Sequence, residues 1–106
     1  MPYHYTIATN TGGEPTWWLY AGNNEMVAWA GETFYSLANA RRAAESFKAG
    51  AFSARYEVYR DAGGQYRWRA WRGSDKVAAS GEAFSSESAA VQAADTVRRN
   101  AGTGTL

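Results

Sequence analysis

Arginine and aromatic residues alternate through Tyr66-Arg67-Trp68-Arg69-Ala70-Trp71-Arg72, the stretch of this chain with the most potential chemistry. In an extended strand successive side chains point to opposite faces. Tyr66, Trp68 and Ala70 then go one way, and Arg67, Arg69 and Trp71 the other. Guanidinium groups interleaved with rings on an open face can stack bases and neutralise phosphates. The same residue types are favoured anchors of protein interfaces. They can equally cover a solvated sheet face, with arginine stems lying over rings and cross-strand pairs holding the strands together. All three readings draw on one candidate set: Trp18, Tyr20, Tyr59, Arg67, Arg69, Trp71 and Arg72.

The other candidates offer less. His4 is the only histidine and there is no cysteine, so a metal site would have to be built from carboxylates and no thiol nucleophile exists. Placed close to the start of the chain, His4 reads as an exposed terminal side chain. Glu32 and Glu82 each follow a glycine at equivalent positions, and paired carboxylates can do acid–base work. At a strand-to-helix turn they are expected instead to accept backbone hydrogen bonds. Gly12-Gly13 and Gly63-Gly64 lead into further strands rather than helix N-termini, and they lack the Lys-Ser/Thr of a phosphate loop. They read as hairpin turns. No nucleophile–base pair can be assembled, so the expectation is a non-enzymatic domain with no cofactor and no metal.

These residues are carried on a frame that the chain states twice. Tyr5-Thr6-Ile7, Gly12-Gly13, Trp17 and Gly22 return as Tyr56-Glu57-Val58, Gly63-Gly64, Trp68 and Gly73. After a one-residue slip between Gly22–Glu25 and Gly73–Asp75, Val27-Ala28, Gly31-Glu32, Phe34, Ser36, Ala40 and Ala43-Ala44 return as Val77-Ala78, Gly81-Glu82, Phe84, Ser86, Ala90 and Ala93-Ala94. Two copies of about fifty residues form a pseudo-symmetric pair rather than a solenoid. One such unit buries too little apolar surface to stand alone, so the 106 residues read as one domain. Repeat 1 spans about 3–51, repeat 2 about 55–102, and 103–106 is expected to be a flexible tail.

Within each copy, strand formers and turn residues predict three strands: Tyr5–Thr9, Thr16–Ala21 and Met26–Ala30, then Tyr56–Arg60, Tyr66–Arg72 and Lys76–Ser80. Pro15, lacking an amide proton, is expected at an unpaired or edge position. The period then becomes helical. Leu37, Ala40, Ala44 and Phe47 form one stripe, and Ala90, Ala94, Val97 and Ala101 its repeat. Ser36 and Ser86 stand where N-caps belong, and Gly50 and Asn100 are expected to stop the helices in a left-handed conformation. The pattern predicts an α+β fold, two β-β-β-α repeats forming one antiparallel sheet with both helices packed on one face.

Composition narrows the partners. Residues 1–54 carry three basic against four acidic side chains, and residues 55–106 eight against six. Dedicated nucleic-acid domains are far more basic. The absence of cysteine, of a signal-peptide pattern and of any long apolar run points to a cytoplasmic protein with no membrane partner.

The motifs Tyr56-Glu57-Val58-Tyr59-Arg60-Asp61, Gly64-Gln65-Tyr66-Arg67-Trp68-Arg69, Ser80-Gly81-Glu82 and Val97-Arg98-Arg99-Asn100-Ala101 resemble the YegP-like family, small proteins of unknown function with one or two copies of this motif. The resemblance implies one sheet built jointly by two copies, helices on one side, and extended segments after the helices crossing between copies. Here those segments, Ala51–Arg55 and Thr103–Leu106, are short. It brings no catalytic residues. The resulting expectation is a protein-interaction or self-association module using the exposed aromatic and arginine face, with nucleic-acid binding by the second repeat as the alternative.

Overall fold

Matched turn chemistry opens both copies. Asn10 Oδ1 accepts from the amides of Gly12 (2.9 Å) and Glu14 (3.0 Å), and Asp61 Oδ1 accepts from those of Gly63 and Gln65, both at 2.9 Å. Gly13 and Gly64 complete these turns at φ +82° and +84°, a conformation that disfavours any side chain. In the computed structural model, which describes residues 2–106, the turns join β1 (His4–Thr9) to β2 (Pro15–Tyr20) and β4 (Arg55–Arg60) to β5 (Tyr66–Arg72). The third strands are β3 (Met26–Trp29) and β6 (Asp75–Ala79). The one-residue slip falls in the turn before them, at Asn24 (φ 65°) in one copy and Gly73 (φ 60°) in the other. Register survives because both copies carry an irregularity at the same place, Leu19/Tyr20 and Ala70/Trp71.

Helices α1 (Leu37–Gly50) and α2 (Glu87–Asn100) start as the sequence predicts. Ser36 accepts from the Asn39 amide and Ser86 from the Ala89 amide, each at 3.1 Å. Ala40, Ala44 and Phe47, then Ala90, Ala94 and Val97, are the buried faces, whereas Leu37 is exposed. The six strands form one sheet in the order β1-β2-β3-β6-β5-β4, every neighbouring pair antiparallel. The copies meet at the β3–β6 seam. Helix α1 packs on β1 and β2, and α2 on β4 and β5. The alanines of the helix faces let the helices approach closely, and the two largest core side chains, Trp17 and Trp68, come from the sheet, with Leu19 of β2 and Phe47 of α1 also fully buried. Trp17 stacks on Phe47 at 5.2 Å between ring centroids. Both core indole N–H groups lack an acceptor among the described residues, a repeated cost of filling the space with the largest side chain.

Three expectations are corrected. Gly50 and Asn100 do not stop the helices in a left-handed conformation, because both are helical and the capping Ala51 and Ala101 keep right-handed angles. Pro15 begins a central strand, and its carbonyl accepts from the Phe34 amide at 2.8 Å. Lacking an amide proton, it forfeits the second bond of this pair, which its counterpart Tyr66 donates to Phe84 O at 2.8 Å. Residues 103–106 are tied to the sheet rather than free. The Tyr5 amide donates to Thr105 O (2.8 Å), the Thr105 amide donates to Tyr3 O (2.9 Å), and Thr105 pairs with His4 in parallel. The segment after α2 therefore crosses to the edge of the first copy, and the segment after α1 crosses to the far edge as β4.

Candidate functional site

With both helices on one side, strand register lines up the other face residue by residue. One row runs Thr6, Trp18, Trp29, Ala79, Arg69, Glu57, each the direct partner of the next, across all six strands. Trp18 and Trp29 are cross-strand neighbours in the first copy, and Tyr20 stacks on His4 at 5.3 Å, the rings inclined by 11°. His4 is thus a half-buried member of β1 rather than a loose terminal side chain. In the second copy Arg69 lies over Tyr59 at 4.2 Å and over Trp71 at 5.5 Å. Arg69 Nε donates to Glu57 Oε1 (2.7 Å), which also accepts from Trp71 Nε1 (3.0 Å). These donors hold the Glu57 carboxyl below the ordinary carboxylate range, the Arg69 bond contributing most. Arg67 Nε donates to Asp61 Oδ2 at 2.9 Å, lowering that carboxyl too. The rings and guanidinium groups cover one another: Trp18, Tyr20, Tyr59, Arg67, Arg69 and Trp71 are all half-buried.

Arg72 does not belong to this face. Its guanidinium crosses to α1, donating from Nη1 to Ser46 Oγ (2.7 Å) and from Nη2 to Ser46 O (2.8 Å). Arg72 shares the parity of Trp68 and Ala70, so alternation already places it on the helix side. It clamps the second copy's strand to the first copy's helix. Trp29 and Met26 line the outward face and were not among the sequence candidates. Together with Thr16, Trp18, Arg67 and Ser80 they line a shallow depression of about 370 Å³ over the seam. Trp29 could have been found by comparing copies, since it stands where the second has Ala79. The side chains of Glu32 and Glu82 are exposed. Instead of Glu32 accepting a backbone bond, its main-chain carbonyl accepts from Thr16 Oγ1 at 2.8 Å. Among the described residues, no three His, Asp or Glu side chains are grouped to hold a metal ion, and no helix is long and apolar enough to cross a membrane.

The family model for a domain of unknown function, DUF1508, matches residues 10–57 and again residues 61–106. The chain belongs to this family. Each DUF1508 match begins after a first strand and runs past a helix into the segment that crosses to the other copy's edge. The family unit thus has the crossing segment as its last element. No curated protein matches the chain. Two solution NMR structures share the fold. A UPF0339 protein from Shewanella oneidensis has a TM-score of 0.79 and 19% identity over 99% of this chain and 91% of that one. The protein of unknown function yegP from E. coli has a TM-score of 0.82 and 17% identity over 99% and 90%.

Proposed function

We propose that this DUF1508 chain is a non-enzymatic, cytoplasmic protein-interaction module that works through the uncovered sheet face, and that the partner this face suits best is a second copy. One observation carries the reading. The face changes character at the β3–β6 seam, from uncharged rings (Trp18, Tyr20, Trp29) to Arg55, Arg67, Arg69 and Lys76 with Glu57 and Asp61. A two-fold axis lying along the seam stacks the uncharged half of one molecule on the cationic half of its mate. Guanidinium groups then meet ring faces twice, as an isologous interface requires.

The same geometry weakens the nucleic-acid reading. Arg67 and Arg69 are each held by a carboxylate, which reduces the positive charge available to phosphates.

The reading is tested by NMR of the five indole N–H groups as protein concentration rises. Those of Trp18, Trp29 and Trp71 are expected to shift together while those of buried Trp17 and Trp68 stay fixed. Five concentration-independent signals would overturn it.

A further inference from the structure

The two copies treat their outer strands differently. In an antiparallel ladder alternate residues turn their amide and carbonyl groups away from the partner strand. At the β1 edge the outward groups include those of Tyr5 and of Tyr3 just before the strand, and there Thr105 pairs. Alternation puts Thr105 on the outward face with His4, and Leu106 on the helix side, where it packs against the core. The chain's own last residues therefore blunt the β1 edge.

On β4 the ladder to β5 turns the main-chain groups of Tyr56, Val58 and Arg60 outward. Among the described residues β4 pairs only with β5, and it ends the sheet. Beside it, under α2, lies a groove of about 210 Å³ lined by Tyr56, Val58, Val91, Ala94, Asp95 and Arg98. Val91 is 50% exposed at this groove, and Phe52, 68% exposed, lies against Arg98 with the guanidinium carbon 4.5 Å from its ring centroid. At the β1 edge the positions equivalent to Val91 and Phe52 are Arg41 of α1 and Gly102 of the segment after α2. The second copy thus has the more apolar groove, a free strand edge, and nothing corresponding to Leu106.

We propose that the β4 edge and its groove form a strand-addition site for an extended peptide segment of another protein. The segment runs parallel to β4, as Thr105 runs beside β1, with an aliphatic side chain seated against Val58 and Val91. Main-chain hydrogen bonds to Tyr56 and Val58 supply binding, and the groove selects an apolar residue at every second position. This surface is distinct from the sheet face, so either proposal can fail without the other.

The test titrates the full chain with the alternating peptide acetyl-Gly-Thr-Leu-Thr-Leu-Thr-amide and follows amide NMR shifts. Saturable shifts are expected at Tyr56, Val58 and Val91. They should be abolished in Val91→Glu, a change on an exposed helix surface that leaves the fold intact. A peptide with aspartate at both leucine positions should produce none. Absence of shifts at millimolar peptide, shifts confined to Tyr3, Tyr5 and Thr105 as the tail is displaced, or shifts unaltered in Val91→Glu would each overturn the proposal.

Discussion

Tyr5 and Tyr56 each donate a hydrogen bond to the residue capping the other copy's helix. Tyr5 Oη donates to Ala101 O beyond α2 (2.9 Å), and Tyr56 Oη donates to Ala51 O beyond α1 (2.8 Å). The last carbonyls of a helix have no partner within it, so each copy satisfies one belonging to the other. The recurrence of tyrosine at these positions is therefore more than strand propensity. It is a reciprocal clasp that makes two marginal units one domain.

Replacing either tyrosine by phenylalanine keeps the ring and removes the donor. Each change is expected to cost about 1–2 kcal/mol, because a buried carbonyl loses its partner. Denaturant unfolding should show one cooperative transition with a lower midpoint. Two separated transitions in the double variant would mean the copies fold independently.

The clasp also fixes an alkaline limit. Burial raises both phenol pKa values, reinforced at Tyr5 by the nearby Tyr56 phenol and opposed at Tyr56 by the Arg98 guanidinium. Below about pH 10 folded and unfolded chains both keep these protons, so stability is insensitive to them. Above it the unfolded chain releases its protons first, and stability falls by up to about 1.4 kcal/mol per pH unit for each tyrosine. Thermal unfolding from pH 8 to pH 11, values of the order set by the phenol reference, should show this decline, with a shallower slope in Tyr5→Phe. Equal slopes would remove Tyr5 from the account.

Gly50 and Arg72 form a second tie between the copies. A Cβ at Gly50 would collide with the Arg72 guanidinium, so Gly50→Ala displaces the clamp on Ser46. An alanine in a helix ordinarily gains about 1 kcal/mol over glycine. That gain should be largely cancelled in the native background and recovered in Arg72→Ala. A double-mutant cycle with no coupling would refute the clearance role.

Binding to generic single- or double-stranded nucleic acid should be weak even at low salt, since Arg67 and Arg69 are already paired. Fluorescence anisotropy against salt measures this directly. Tight binding that declines steeply with salt and collapses in Arg67→Ala/Arg69→Ala would transfer the face to nucleic acid.

Local chemistry was legible in the chain wherever a single residue decides it. Ser36 and Ser86 cap, Asn10 and Asp61 close hairpins, and alternation orients Trp18, Arg69 and Trp71. Less was legible where tertiary placement decides. Gly50 is small to admit a side chain from the other copy, which looks in sequence like a helix stop. Thr105 and Leu106 are too few and too weakly apolar to read as a strand, and they pair only because β1 lies alongside. Trp29 lies on a strand of four residues, too short for alternation to single out.

Stacking of two sheet faces about the β3–β6 seam makes self-association depend on protein concentration, which sedimentation equilibrium from micromolar to millimolar protein measures. A monomer–dimer equilibrium is expected, shifted toward monomer in both Trp18→Ser and Arg69→Ala, with thermal unfolding showing each variant folded. A single monomeric species at every concentration, or a dimer indifferent to both substitutions, would contradict it.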